Sequence, residues 1–92
     1  MFDSVRIKVR ELVRLRRVTF STHSQEEMEN DDILARDVIY LLSSADIIER
    51  QRDEETGEWK YLFVKPHSNR TLVVVSKINR NGNVFIITVY LL

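Results

Sequence analysis

The spacing of apolar residues changes at about residue 44, and this change limits the folds open to the chain of 92 residues. Before it, apolar side chains recur at intervals of three and four, which is the period of a helix. After it, short segments rich in β-branched residues are separated by turn residues, as in strands. Helices followed by strands predict a single α+β domain over residues 1–92.

The first half predicts two or three helices. A basic N-terminal helix within residues 2–17 carries an apolar stripe of Phe2, Val5, Val9, Leu12 and Val13. Residues 18–20 form a short extended connector. A second helix begins after Ser21 or Thr22 and reaches Asn30, with Ser24 and Glu27 as a second capping option. The third covers residues 33–43, after aspartates 31 and 32 that break one helix and cap the next.

The second half predicts strands at residues 47–49, 59–65, 70–78 and 84–91. Residues 79–82 end in Asn-Gly, a strong hairpin signal because this pair readily adopts positive φ. Alternation in the last strand places Ile86, Thr88 and Tyr90 on one face and the residues between them on the other. The helices are therefore predicted to pack on a twisted antiparallel sheet of about four strands.

The formal net charge of zero is divided unevenly along the chain. Residues 1–20 carry +4, residues 21–58 carry −9 and residues 59–92 carry +5. The total therefore says nothing about binding partners, whereas the local fields do. The decisive question is whether folding joins the two basic blocks on one surface or lets the acidic block neutralise them.

Composition excludes several classes of protein. Without cysteine there is no disulfide scaffold, thiol enzyme or cysteine-ligated zinc site. The only histidines, His23 and His67, lie far apart in sequence, so no metal site is predicted. Gly57 and Gly82 are isolated, which excludes a glycine-rich phosphate loop, and no cofactor is predicted. No apolar segment is long enough to span a bilayer, so we expect a cytoplasmic protein with no membrane partner.

The residues suit RNA chemistry better. Cleavage by the neighbouring 2′-hydroxyl needs a proton acceptor, a cation beside the phosphate and an acid for the leaving oxygen. The last third of the chain has no acidic residue and contains Lys65, His67, Arg70, Lys77, Arg80 and Tyr90. Trp59, Tyr61 and Phe63 share one face of a strand and are predicted to belong to the core. His23 fits either a proton-transfer role or an ordinary position at a helix start.

The order of several short motifs resembles an uncharacterised family of small bacterial domains. These motifs are Phe20-Ser-x-His23, Met28, an Asp-Val helix, Ile47-Ile48-Glu49, Leu72-Val-Val-Val and Ile87-Thr-Val-Tyr90. The resemblance covers residues 19–91, and the family is similar to the BrnT group, near the RelE/ParE toxin superfamily. This chain departs from the pattern at Glu27, where the family more often has arginine.

The resemblance implies a RelE-like fold and a metal-independent endoribonuclease, the toxin of a bacterial type II toxin–antitoxin system. It implies mRNA or ribosomes as targets and a small antitoxin protein as partner. His23 then matches the family's histidine, Tyr90 its closing tyrosine, and Arg70 a basic residue at a strand start, with His67 as a second candidate for proton transfer. Lys65, Lys77 and Arg80 are the expected RNA-binding residues.

A second hypothesis is a non-catalytic module of RelE-like fold that binds protein or RNA. The acidic middle segment and the zero net charge favour it, since interferases of that superfamily are often distinctly basic. The N-terminal helix could pack within the chain, mediate a homodimer or lie on an anionic membrane. Its apolar face is needed to cover the sheet, which disfavours the membrane.

Overall fold

The computed structural model describes residues 2–92, which form three helices and five strands. Their bounds in chain order are α1 Asp3–Arg14, β1 Val18–Phe20, α2 Thr22–Asn30, α3 Ala35–Ser44, β2 Asp46–Arg52, β3 Trp59–His67, β4 Arg70–Ile78 and β5 Val84–Leu91. The α+β class is confirmed, and all three helices precede the four long strands.

The strands form one mixed sheet in the order β1-β5-β4-β3-β2. Strands β2 to β5 are consecutive and antiparallel, whereas β1 pairs with β5 in parallel over three residues. The prediction of an antiparallel sheet of about four strands was therefore wrong in one respect. Residues 18–20, predicted to be a connector, are a fifth strand, because they pair with the edge of β5 before α2 begins.

One face of the sheet is covered by the helices, and the main core lies between these two layers. From the helices it contains Val9, Leu12, Met28, Ile33, Val38, Leu41, Leu42 and Ala45, and from the sheet Phe63, Leu72, Val74, Val84, Ile86 and Val89. The apolar stripe of α1 packs within the chain, against α3 and β5. As predicted, Phe63 is fully buried and Tyr61 packs against the core. The prediction was wrong for Trp59, which is exposed at the end of the strand.

Two helices end in residues with left-handed backbone rather than glycine. Arg16 has φ 61° and Asp32 has φ 55°. After α1, the N–H of Arg17 donates to the carbonyl of Leu12, and after α2 the N–H of Ile33 donates to that of Met28. These bonds span five residues and define the Schellman ending of a helix. They end α1 at Arg14, three residues before the end of the range predicted for this helix, and the N-cap of α3 is Leu34 rather than an aspartate.

The end of α1 is joined to the β4–β5 turn. Arg17 Nη2 donates to the carbonyl of Asn81 at 2.7 Å, and its Nε donates to Asn83 Oδ1 at 3.2 Å. The turn has the predicted positive φ at Gly82. This contact brings part of the first basic block beside Arg80. Two other contacts pair basic with acidic blocks, since Arg6 contacts Asp46 and Lys77 contacts Glu58. Folding thus brings parts of the two basic blocks together and also pairs other basic residues with the acidic block.

Substitution of Arg16 by glycine tests the left-handed ending of α1. We expect Arg16→Gly to leave the free energy of unfolding unchanged or raise it by up to about 1 kcal/mol, because glycine adopts positive φ without steric cost. The matched control Arg14→Gly, in the last turn of the helix, should lower it by about 1 kcal/mol. Urea denaturation measures both, and equal losses in the two variants would contradict the assignment.

Candidate functional site on the uncovered face of the sheet

The second face of the sheet carries no helix, and the strand register shows which side chains lie on it. Val74 pairs with Val89, and both belong to the core under the helices. The adjacent pairs, Val73 with Tyr90 and Val75 with Thr88, must therefore point the other way. Tyr90 and Thr88 thus lie on the side of the sheet without helices, which we call the uncovered face.

The middle of the uncovered face is apolar and one end is basic. Alternation along β3, β4 and β5 places on it Leu62, Val64, Val73, Val75, Phe85 and Tyr90. Lys60 and Lys77 lie on the same face toward the β4–β5 turn. The ammonium of Lys77 is 5.9 Å from the centre of the Phe85 ring and 3.2 Å from Glu58 Oε1. Phe85 and Tyr90 are therefore the aromatic residues of this face, whereas Tyr61 and Phe63 lie on the covered face.

A β-bulge at Ile87 determines which side chains of β5 reach this face. Val75 pairs with Thr88 and the next residue, Ser76, pairs with Ile86, so Ile87 is an extra residue in β5. The predicted grouping of Ile86 with Thr88 and Tyr90 was wrong for this reason. Ile86 instead shares the covered face with Val89, and both are fully buried.

Side chains of α2 bind the edge of β5 that β1 leaves free. Ser21 Oγ donates to the carbonyl of the bulged Ile87 at 2.9 Å. Glu27 Oε1 accepts hydrogen bonds from the N–H of Val89, at 2.9 Å, and from the hydroxyl of Thr88. Ser21 is also the N-cap of α2, accepting from the N–H of Ser24. Glu27 therefore stabilises the sheet edge and is not part of the helix cap, which was one of its predicted roles.

Glu27 also connects His23 to this edge. His23 Nε2 lies 3.4 Å from Glu27 Oε2, one helical turn away, and the imidazole is largely exposed. Thr88 is bound to the same carboxylate, and Tyr90 follows two residues later on the same face, about 7 Å along the strand. The structure thus links His23 to Thr88 through an oriented carboxylate at one rim of the sheet, and Tyr90 lies two residues further along the same strand.

The other predicted catalytic residues lie at the β3–β4 turn. His67 and Arg70 are paired across it, and Arg70 is exposed with its Nε donating to the carbonyl of Leu92 at 3.4 Å. None of the described contacts joins Arg70 or His67 to His23 or Tyr90. The four predicted catalytic residues therefore form two pairs, and the pair at the turn lies beyond the end of β5.

The predicted RNA-binding residues also separate. Lys77 lies on the uncovered face, whereas Lys65 lies on the covered face with its ammonium 4.8 Å from the centre of the Tyr40 ring. Arg80 is exposed in the β4–β5 turn. Sequence reasoning missed Phe85 and Lys60 as residues of the uncovered face and Glu27 as the partner of His23. The four-residue spacing of His23 and Glu27 on one helix was the available signal.

Within residues 2–92, no three histidine, aspartate or glutamate side chains are grouped closely enough to hold a metal ion. Nor does this part of the chain contain a helix that is both long and apolar enough to cross a membrane.

Comparison with known proteins gives one match. The model of a family described as a domain of unknown function, DUF4258, matches residues 20–91. No curated protein matches the chain. No solved structure matches it either. The matched residues include α2, α3, strands β2 to β5 and both pairs of candidate residues.

Replacement of Glu27 tests its role at the edge of β5. We expect Glu27→Ala to lower the free energy of unfolding by about 1–3 kcal/mol, because the N–H of the buried Val89 loses its acceptor. The matched control is Glu26→Ala, an exposed neighbour on the same helix, with an expected change within about 0.5 kcal/mol. Urea denaturation of both variants compares them, and a Glu27→Ala value as small as the control value would refute the assignment.

Proposed function

The chain belongs to the DUF4258 family, and we propose that it is a toxin-like protein that binds single-stranded RNA on the uncovered face and cleaves it. The proposal includes a small antitoxin protein as partner and mRNA, free or on the ribosome, as substrate. It rests in part on the resemblance of the sequence motifs to the BrnT group and the RelE/ParE toxins. An α+β domain with one sheet face free of helices is compatible with the RelE-like fold that this resemblance implies.

The observation that carries the proposal is the position of His23 and Tyr90 on one rim. Glu27 lies between the imidazole and Thr88, and Tyr90 shares the face of Thr88. A carboxylate beside an imidazole fixes the orientation of the ring. His23 is therefore the better candidate for proton acceptor than His67, which the described contacts do not link to a carboxylate.

In the proposed reaction the 2′-oxygen of one nucleotide attacks the adjacent phosphorus and transfers its proton to His23. The bond from phosphorus to the 5′-oxygen breaks, and this oxygen takes a proton from the Tyr90 hydroxyl. The products are a 2′,3′-cyclic phosphate and a free 5′-hydroxyl, and the proton on His23 restores the tyrosine through solvent. Arg70 alternates with Leu72 and Val74 and therefore lies at the end of β4 on the side of the covered face. To supply positive charge to the phosphate, it would leave the Leu92 carbonyl and reach around the end of the sheet.

The rest of the uncovered face fits the binding of single-stranded RNA. Phe85 and Tyr90 offer ring surfaces on which bases can stack, a contribution of about 1–3 kcal/mol per base in single-strand binding proteins. Lys60 and Lys77 lie at one end of this surface, with Arg80 and Arg17, which follows α1, beyond them. The two basic blocks of the sequence thus meet at the end of the proposed RNA path.

A second candidate is a non-catalytic binding module, and two observations favour it. Glu27 places a negative charge at the rim, where a phosphate would have to approach, and the family that the sequence motifs resemble more often has arginine at this position. In addition, Arg70 is not in contact with the rim. A domain with this arrangement could bind a partner without cleaving RNA.

Expression of the chain in bacteria separates these candidates. We expect growth arrest and RNA fragments that end in cyclic phosphate, with or without ribosomes. His23→Ala and Tyr90→Phe should each reduce cleavage by about 10²-fold to 10⁴-fold, because each removes one proton transfer. The matched control Tyr40→Phe, at an exposed site on α3, should cleave normally.

Absence of both arrest and cleavage by the unaltered protein would overturn the proposed enzyme and leave the binding module. Loss of cleavage in His67→Ala but not in His23→Ala would move the site to the β3–β4 turn and contradict the assignment to the rim.

Salt-dependent RNA binding tests the uncovered face independently of cleavage. We expect Lys77→Ala to weaken the binding of a single-stranded RNA and to reduce the slope of log K against log salt by about 1, because one phosphate contact is lost. Lys8→Ala, at an exposed site on α1, serves as the matched control and should leave the slope unchanged. Fluorescence anisotropy measures both, and identical slopes for the two variants would contradict RNA binding on this face.

A further inference from the structure

A groove of about 920 Å³ runs beside β1, on the opposite side of α2 from the candidate RNA site. Its apolar lining comes from β1, from α2 and from the segment that joins α2 to α3: Val18, Phe20, Met28, Ile33, Leu34 and Ala35. Met28 and Ile33 are buried and form its floor, whereas Leu34 is 49% exposed although it is a large apolar residue. Neither the fold nor the proposed cleavage reaction requires Leu34 to be exposed here.

The charged residues that line the groove all have the same sign. Glu26, Glu29 and Asp32 lie around the apolar floor, and no lysine, arginine or histidine is among the described lining residues. None of these three carboxylates makes a described ion pair. The groove therefore complements an apolar ligand that carries positive charge, and it disfavours a nucleic acid.

The groove lies along an unpaired strand edge. β1 pairs only with β5, so the backbone groups of Val18 and Phe20 that point away from β5 meet no strand. The carbonyl of Phe20 accepts a hydrogen bond from Gln25 Nε2 at 3.1 Å, whereas no described bond involves the outward groups of Val18. An unpaired edge beside apolar pockets is the arrangement that accepts an added strand from another chain.

We infer that this groove binds an extended segment of a partner protein, which adds to β1 as a sixth strand. The segment has apolar residues at alternate positions, which enter the groove, and lysine or arginine between them, which face Glu26, Glu29 and Asp32. The inference does not depend on the proposed RNA cleavage, because the groove shares no residue with the rim of His23 and Tyr90.

A second copy of the chain fits this groove less well than a partner. The other free edge of the sheet is β2, and addition of the β2 of one copy to the β1 of the next is a head-to-tail contact. Such contacts give rings or open filaments rather than a closed dimer. β2 also carries two carboxylates, Asp46 and Glu49, beside Arg50 and Arg52, so it lacks the purely basic charge that complements Glu26, Glu29 and Asp32.

Synthetic peptides test the inference on the full chain. The probes are an acetylated and amidated seven-residue peptide of alternating valine and lysine, the same peptide with glutamate for lysine, and the lysine peptide with alternate backbone nitrogens methylated. Backbone amide NMR shifts report the site and the affinity. We expect the lysine peptide to shift signals of residues 18–35 and to bind at least tenfold more tightly than the glutamate peptide at low salt.

We further expect backbone methylation on one edge of the peptide to weaken binding at least tenfold, because it removes the donors that pair with β1. The variant Glu26→Gln/Glu29→Gln/Asp32→Asn should remove the preference for lysine. The matched control Glu54→Gln/Glu55→Gln, in the β2–β3 turn, should keep it. Raising the salt concentration should weaken the binding of the lysine peptide to the unaltered protein. The contribution of charge can therefore be tested even if the triple variant folds poorly.

Four results would overturn the inference. These are no binding by the lysine peptide, shifts located on the uncovered face instead, equal affinity for the two charge forms, and no effect of methylation. Concentration-dependent shifts of residues 18–35 without peptide, together with a larger mass in light scattering, would also overturn it by assigning the groove to a second copy of the chain.

Discussion

Side chains hydrogen-bond to the backbone along the edge of β5 that no strand covers, and the positions of both candidate surfaces depend on this contact. β1 covers only Val84 to Ile86, and beyond it Ser21 and Glu27 bind the backbone at Ile87 and Val89. An unpaired N–H of a buried residue is costly, so these bonds fix α2 against the sheet. With α2 fixed, His23 lies at the rim of the uncovered face and Met28 forms the floor of the groove on the other side.

The bulge at Ile87 is the second constraint, because it changes which side chains of β5 face the helices. Without an extra residue, burying Ile86 would place Thr88 and Tyr90 under the helices, and the tyrosine hydroxyl would need a partner there. With it, Ile86 and Val89 both enter the core while Thr88 and Tyr90 stay on the uncovered face. The carbonyl of the bulged residue, Ile87, accepts a hydrogen bond from Ser21. The bulge in β5 and the attachment of α2 to the sheet are therefore a single feature.

Sequence reasoning succeeded where the signal is local. The bounds of β4 and β5 follow from β-branched residues on either side of an Asn-Gly turn, and α2 follows from its serine cap. It failed where the determining contact is distant in sequence. Nothing within residues 18–20 shows that they pair with residues 84–86, and the bulge has no glycine to mark it. Glu27 stood out as a capping option and as a departure from a family pattern, but not as a ligand of the sheet edge, since its bonds lie on a strand 61 residues later.

The family match begins at Phe20, which is the last residue of β1. The strand that borders β5, and the helix whose Val9 and Leu12 enter the core, therefore lie almost entirely before the matched residues. A chain trimmed to residues 20–91 would leave β5 without the strand that pairs with Val84 to Ile86, and its core would lack Val9 and Leu12. The start of sequence similarity and the start of the folding unit are thus different positions in this protein, separated by a helix and a strand.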